Sequence, residues 1–183
     1  MLEVEVKAKV NIDEVADKLA ACGFARGTTV YELDTYYNGV IDLKAEDKAL
    51  RIRVHRDVDS GVTRYVLNFK GPKLDNITMT REETQFDIPD FKSGEIIING
   101  LGYTAAGKVE KTRIHYSKDD ITCCLDTVTG LGDFLEVEIM AGESDYDRAV
   151  MKVEALLTIL GINMQDTVRK SYLSMLEDIH NKS

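Results

Sequence analysis

No stretch of the 183-residue chain approaches the roughly 20 apolar residues that a membrane-spanning helix needs. The three cysteines, Cys22, Cys123 and Cys124, include no C-x-x-C spacing, and adjacent cysteines seldom bridge each other, so a reducing compartment fits. The three histidines, His55, His115 and His180, are far apart and never spaced as zinc ligands. A metal site in this chain would therefore be built from oxygen, which points to Mg²⁺ or Mn²⁺. A basic surplus is also missing: the net charge of −9 argues against duplex nucleic acid as a partner, and basic residues that matter must be concentrated locally. No Pro/Gly-rich linker, low-complexity tract or repeat divides the chain, so one domain over residues 1–183 is expected. The first residues carry no signal-peptide pattern, and a cytoplasmic location without a membrane partner is expected.

What is present is the composition of a globular protein, 44% hydrophobic and 30% charged, with strand-like alternation dominating as far as about Ala141. Strands are expected near 2–10, 28–38, 48–57, 62–70, 78–88, 104–117, 120–128 and 133–141, joined by turn signals such as Asp59-Ser60-Gly61 and Lys118-Asp119-Asp120. Short connections make successive strands antiparallel. Gly130 and Gly132 read as turn residues, because the segment opens a strand and not a helix.

Helical spacing marks four stretches. The first is capped by Asn11, runs through Ile12, Val15, Ala16 and Leu19, and stops at Gly23; a short one covers Ser93 to Leu101. The third is capped by Ser144, presents Tyr146, Ala149, Val150, Val153, Leu157 and Leu160 on one face, and ends at Gly161. The last starts near Thr167 and carries Tyr172, Met175, Leu176 and Ile179 on one side. Met140, Met151, Met164 and Met175 read as packing residues. The fold class is α+β.

Residues two apart in a strand share a face, so Glu3, Glu5 and Lys7 lie opposite Leu2, Val4 and Val6, with Lys9 near the end of the same row. The register recurs at Arg51 and Arg53 around Ile52, at Lys111 and Arg113, and at Glu136 and Glu138 around Val137; Lys70, Arg81 and Asp126 extend it. Taken singly, each is what a solvated strand face shows. Together they sort into acid-rich and base-rich strands, as expected if the sheet closes and the polar face becomes an enclosed tunnel. Arginine forks match phosphate oxygens, and carboxylates that would repel a polyanion can share it through divalent cations. In that geometry Val4, Val6, Ile52, Val137 and Ile139 must point outward, and the inward charges repel one another unless ligand or solvent separates them. Loss of Glu3 or Glu136 is then expected to abolish turnover yet leave the fold intact, since it relieves like-charge repulsion.

These residues resemble the CYTH superfamily of triphosphate tunnel metalloenzymes. Glu3-Val4-Glu5-Val6-Lys7 resembles its E-x-E-x-K signature, Asp34-Thr35-Tyr36-Tyr37 its D-x-Y-Y, Leu50-Arg51-Ile52-Arg53 its L-R-x-R, and Asn68-Phe69-Lys70-Gly71-Pro72 its K-G-P strand end. Arg81-Glu82-Glu83, Lys111-Thr112-Arg113 and the block from Leu125-Asp126 to Glu138 follow in order. The resemblance implies a closed eight-stranded antiparallel β-barrel with helices outside, two Mg²⁺ or Mn²⁺ ions, ATP or another triphosphate as substrate, and a homodimer. It implies that Glu3, Glu5, Asp126, Glu136 and Glu138 face metal, that Lys7, Arg51, Arg53, Lys70, Arg81, Lys111 and Arg113 hold substrate, and that Lys7 and Tyr36 assist the chemistry. The G-L-G-D-F stretch and Arg169 to Leu176 are most like the class IV adenylyl cyclase (CyaB-like) branch. The alternatives are a triphosphatase acting on thiamine triphosphate, nucleoside triphosphate or tripolyphosphate, which Asn38 slightly disfavours, and a non-catalytic module for phosphorylated metabolites.

Overall fold

The structure is a computed structural model that describes residues 2–74 and 79–181, apart from the side chains of Leu2 and Glu143. Eight strands and four helices follow the chain as β1 (Leu2–Lys9), α1 (Ile12–Ala21), β2 (Ala25–Gly39), β3 (Ala49–Asp57), β4 (Thr63–Lys70), β5 (Arg81–Ile88), α2 (Phe91–Gly100), β6 (Tyr103–Lys118), β7 (Ile121–Val128), β8 (Gly132–Ala141), α3 (Tyr146–Leu160) and α4 (Tyr172–His180). The strands close into an antiparallel barrel in the order β1-β5-β4-β3-β2-β6-β7-β8. Sequence neighbours pair except where β2 turns to β6 and where β1 closes the ring between β8 and β5. The closure is uneven: β1 runs along β8 from Leu2↔Ala141 to Lys9↔Phe134, but meets β5 only at Leu2↔Glu82 and Glu3↔Arg81.

The outward apolar residues of β1, β3 and β8 are buried beneath helices. Val4, Val6, Val137 and Ile139 form one cluster with Val15 and Leu19 of α1 and Val153 and Leu157 of α3. Ile52, between Arg51 and Arg53 on β3, packs with Tyr37 and with Ile98 of α2. That contact depends on Gly94, where a Cβ would meet Ile52 Cδ1 at 2.9 Å and Ile88 Cδ1 at 2.5 Å. A third cluster, of Val109, Val128, Phe134 and Tyr172, joins the start of α4 to the strands that carry Lys111, Asp126 and Glu136.

The ends of the elements differ from expectation in several places. Asn11 caps α1 as expected, accepting from Glu14 N at 3.1 Å, and Gly130, Gly132 and Gly161 adopt positive φ at their turns. Asp90 caps α2 by accepting from Ser93 N, so the helix begins two residues earlier than expected. Ser144 is no cap: it sits inside a 3₁₀ turn over Glu143–Asp145, and α3 starts at Tyr146 without a side-chain cap. Helix α4 starts at Tyr172 with Ser171 as its cap, and not near Thr167, because Thr167 is drawn into a β-bridge with Ala8. Met140, Met151 and Ile179 are exposed, whereas Met164 and Met175 pack against the apolar clusters as expected. Residue 78, the expected start of the fifth strand, lies outside the described residues.

Ile52 is fully buried while its two neighbours are arginines of the inner wall, so Ile52→Ala tests the outer packing alone. A loss of about 2–5 kcal/mol is expected in urea denaturation, as for other core truncations.

Candidate active site

Strand parity delivers the inner wall. Glu3, Glu5 and Lys7 from β1, Arg51 and Arg53 from β3, Lys70 from β4, Arg81 from β5, Lys111 and Arg113 from β6, Glu136 and Glu138 from β8, and Tyr36 from β2 all border one cavity of about 650 Å³. Lys9 stands exposed beyond the row. Asp126 shares the inward face of β7 but does not reach the cavity: it is wholly buried, with Oδ1 and Oδ2 accepting from Arg113 Nε and Nη2 at 2.6 Å each. Oδ2 also accepts from Tyr172 Oη at 2.9 Å.

The inward charges do not simply repel one another, as the sequence reading expected; they interlock. Asp34 of β2 clasps Arg53 through Nε at 2.7 Å and Nη2 at 2.9 Å and accepts from Arg51 at 3.1 Å. Glu32 takes Lys111 at 2.8 Å, Arg53 at 3.0 Å and His55 at 3.1 Å. Lys70 joins Glu3 at 2.7 Å and Glu83 at 2.9 Å, and Lys7 joins Glu136 at 3.1 Å and Glu5 at 3.6 Å. Arg113 reaches Glu136 and Glu138 as well as Asp126. Each of these cations therefore already holds a carboxylate.

Glu32, Asp34 and Glu83 were not foreseen as site residues. All three were within reach of the parity argument, since Glu32 and Asp34 lie four and two residues before Tyr36, and Glu83 lies two after Arg81. Tyr36 Oη accepts from Arg51 at 3.2 Å, so the aromatic side chain belongs to the same network. Asn38, further along β2, is occupied structurally: it donates to Asp42 at 3.0 Å and accepts from Leu43 N at 2.8 Å, fixing the loop beside the cavity.

Not all the carboxylates are equally content. Burial pushes Glu3 up to about 8, against the pull of Lys70, with Glu83, Glu5 and Glu138 adding to the rise. Burial likewise pushes Glu138 up to about 7, opposed by Arg113 and reinforced by Glu136 and Glu5. Glu5 and Glu138 are direct cross-strand partners, a placement that is unfavourable for like charges. Glu136 goes the other way: burial opposes its charge, but Lys7 and Arg113 hold it well below the usual range. Asp34 and Glu32 are held low against burial by Arg51, Arg53 and Lys111. Among the described residues no three donor groups converge closely enough to hold an ion in this arrangement. The group short of positive partners is Glu3, Glu5 and Glu138, and it is the one whose donor chemistry a hard divalent cation would complete.

Residues 1–172 match the CYTH domain family. The chain is 35% identical, over 96% of its length and 98% of the relative's, to a protein of Methanocaldococcus jannaschii that carries a provisional adenylate cyclase name. It is 27% identical, over 80% of its length and 72% of the relative's, to adenylate cyclase CyaB of Aeromonas hydrophila. Among solved structures, the PH1819 protein of Pyrococcus horikoshii superposes with a TM-score of 0.88 at 34% identity, covering 97% of this chain and 99% of that one. Among the described residues no helix is long and apolar enough to cross a membrane.

The pKa directions carry an expected response of stability to pH. Glu3 and Glu138 hold protons more tightly folded than unfolded, so stability falls as pH rises from their ordinary value of 4.5 towards about 8 and about 7. Glu83 is opposite: despite burial, its hydrogen bond with Glu3 and the charge of Lys70 lower it to about 2, and its contribution is lost as pH falls from 4.5 towards that value. The melting temperature should peak near about pH 5 and decline on both sides. Glu3→Gln, which mimics the protonated acid, should flatten the alkaline arm in calorimetry. Glu136→Ala should instead cost about 1–3 kcal/mol, because buried Lys7 loses its nearest carboxylate and keeps only Glu5 at 3.6 Å, while Arg113 retains Asp126; for Glu136 the expectation of an unweakened fold is revised.

Proposed function

The chain belongs to the CYTH family, and on that premise we propose that it is a divalent-metal-dependent adenylyl cyclase that takes ATP into the barrel and releases cyclic AMP and pyrophosphate. The carrying observation is the cavity wall, where arginine and lysine from β3, β4 and β6 face a carboxylate group short of cations on β1 and β8. The names of the relatives support the choice of reaction.

In this reading the triphosphate exchanges for carboxylates already in place. Arg51 leaves Asp34 for phosphate oxygen, while Arg53, clasped bidentately by Asp34, keeps its direction. Lys111 and Arg113 stand on the adjoining strand with the same options. Lys7 is protonated: burial opposes its charge, but Glu136 and Glu5 hold its pKa above the ordinary value. It therefore acts as a hydrogen-bond donor that steadies the phosphate under attack, and not as a base. Tyr36, bonded to Arg51, aligns that guanidinium.

Glu3, Glu5 and Glu138 would hold the Mg²⁺ or Mn²⁺ ions, with Glu136 at their margin. Asp126 fits a ligand role poorly, with both oxygens engaged by Arg113 and Tyr172. Bound there, divalent cations supply Lewis acidity towards the ribose 3′-hydroxyl and charge neutralisation for the leaving pyrophosphate. The bond formed joins O3′ to the α-phosphorus, the bonds broken are the 3′ O–H and that from the α-phosphorus to the bridging oxygen of pyrophosphate, and the proton passes to solvent.

Incubation of the protein with ATP and Mn²⁺ should yield cyclic AMP and pyrophosphate in equal amounts. Free phosphate would make it a triphosphatase, and binding without turnover a phosphate-recognition module. Arg51→Ala and Arg113→Ala should each weaken triphosphate binding by about 2–5 kcal/mol in calorimetry. Unchanged affinity in both variants would remove these side chains from the binding wall.

A further inference from the structure

The barrel strands do not complete the wall of the cavity; part of it comes from the chain beyond the last strand. Residues after α3 return to the barrel through a bridge between Thr167 and Ala8, reinforced by Val168 N donating to Lys7 O at 2.6 Å. This anchor sits on the backbone of Lys7 itself. It sets the start of α4, capped by Ser171, so that Tyr172 projects into the barrel and not over it. Tyr172 is 6% exposed, and its ring meets that of Phe134 edge-on, with centroids 5.1 Å apart.

Three functional groups converge on this one side chain. Lys7 Nζ lies 4.2 Å from the ring centroid and Lys111 Nζ 5.8 Å, both within range of attraction by the face of an aromatic ring. The phenol hydroxyl donates to Asp126 Oδ2, the oxygen that also accepts from Arg113 Nη2. Burial and the nearby charges of Glu136 and Asp126 keep that hydroxyl protonated far above neutral pH, so it remains a donor.

We propose that Tyr172 is a positioning residue of the tunnel: its ring sets the Lys7 and Lys111 ammonium groups, and its hydroxyl locks Asp126 in the clasp that aims Arg113. The proposal deepens the triphosphate reading and rests on it for its catalytic consequence, while the placement of Lys7 can be tested without any substrate. Asp126 on this view acts through Arg113 and not on an ion. A lysine held against an aromatic face loses some freedom but none of its charge, so the arrangement directs a cation without competing for it as a carboxylate does.

Two variants separate ring from hydroxyl. In lysine-labelled full-length protein, the ε-methylene signal of Lys7, identified by its disappearance in Lys7→Arg, should be displaced upfield by the ring current of Tyr172. Tyr172→Phe should keep that displacement and lower kcat/KM with ATP about 10-fold, through loss of the Asp126 contact. Tyr172→Leu should abolish the displacement and lower kcat/KM about 100-fold, with tripolyphosphate affinity falling in parallel. An ordinary Lys7 signal in the unsubstituted protein overturns the proposal, as does a folded Tyr172→Leu with unchanged kcat/KM and affinity. If Tyr172→Leu does not fold, Tyr172→Phe decides: wild-type kinetics there overturn the role of the hydroxyl. A protein that neither binds nor turns over triphosphate, yet shows the displaced Lys7 signal, sinks the cyclase reading while the placement of Lys7 by Tyr172 stands.

Discussion

An ion inside a closed barrel is removed from most of the water that would otherwise stabilise it, and its only compensation is another ion or a ring of donors. Most of the inward cations are answered by a carboxylate of another strand: Asp34 and Glu32 for β3 and β6, Glu136 and Asp126 for Lys7 and Arg113, Glu3 and Glu83 for Lys70, whereas Arg81 of β5 reaches Asp47 of the loop before β3 and the carbonyl of Gly71. The lock is internal, made entirely of the chain's own side chains. On the proposed function the same lock would be opened one pair at a time, each phosphate oxygen taking the place of a carboxylate oxygen at similar distance and charge. The cost of burying the cations falls on folding and not on binding, which is the meaning of a preorganised site.

The network is strained at one place. The three carboxylates of β1 and β8 that lack a full set of cations lie against the short seam with β5, where only two residue pairs close the ring. The opposite wall, around Asp34, is saturated with guanidinium. One barrel thus has a wall that already satisfies its charges and a wall that waits for positive ones. On the proposed function, a substrate arriving as a metal–polyphosphate complex would match both.

Most of this was legible in the sequence, because a period of two is a strong constraint once a sheet is closed: a single register decides the direction of Glu3, Arg51, Lys111 and Glu136 together. What escaped was of two kinds. Glu32, Asp34 and Glu83 obey the same parity as Tyr36 and Arg81 but were overlooked because their strands were read for other residues. The start of α4 was placed too early for a different reason: the apolar spacing after Thr167 is locally helical, but the contact that fixes Thr167 lies at Ala8, at the far end of the chain. The role of Tyr172 escaped for the same reason, since nothing within its own segment names Lys7, Lys111 or Asp126 as its partners.

The closure of the ring between β1 and β8 also bears on how the molecule comes into being. A ribosome makes β1 first and β8 last among the strands, yet the longest partnership of β1 is with β8, more than a hundred residues later. During synthesis the first strand has only the two-residue pairing with β5 open to it, and most of its edge waits for Gly132–Ala141 to emerge. Local hairpins such as β3–β4 and β6–β7 can form as they appear, so the nascent barrel grows as an open sheet, and joining its ends is a late, high-contact-order event. The charged face of β1 serves that interval well: an unpaired strand with a carboxylate or ammonium at every second position is a poor template for aggregation with another chain.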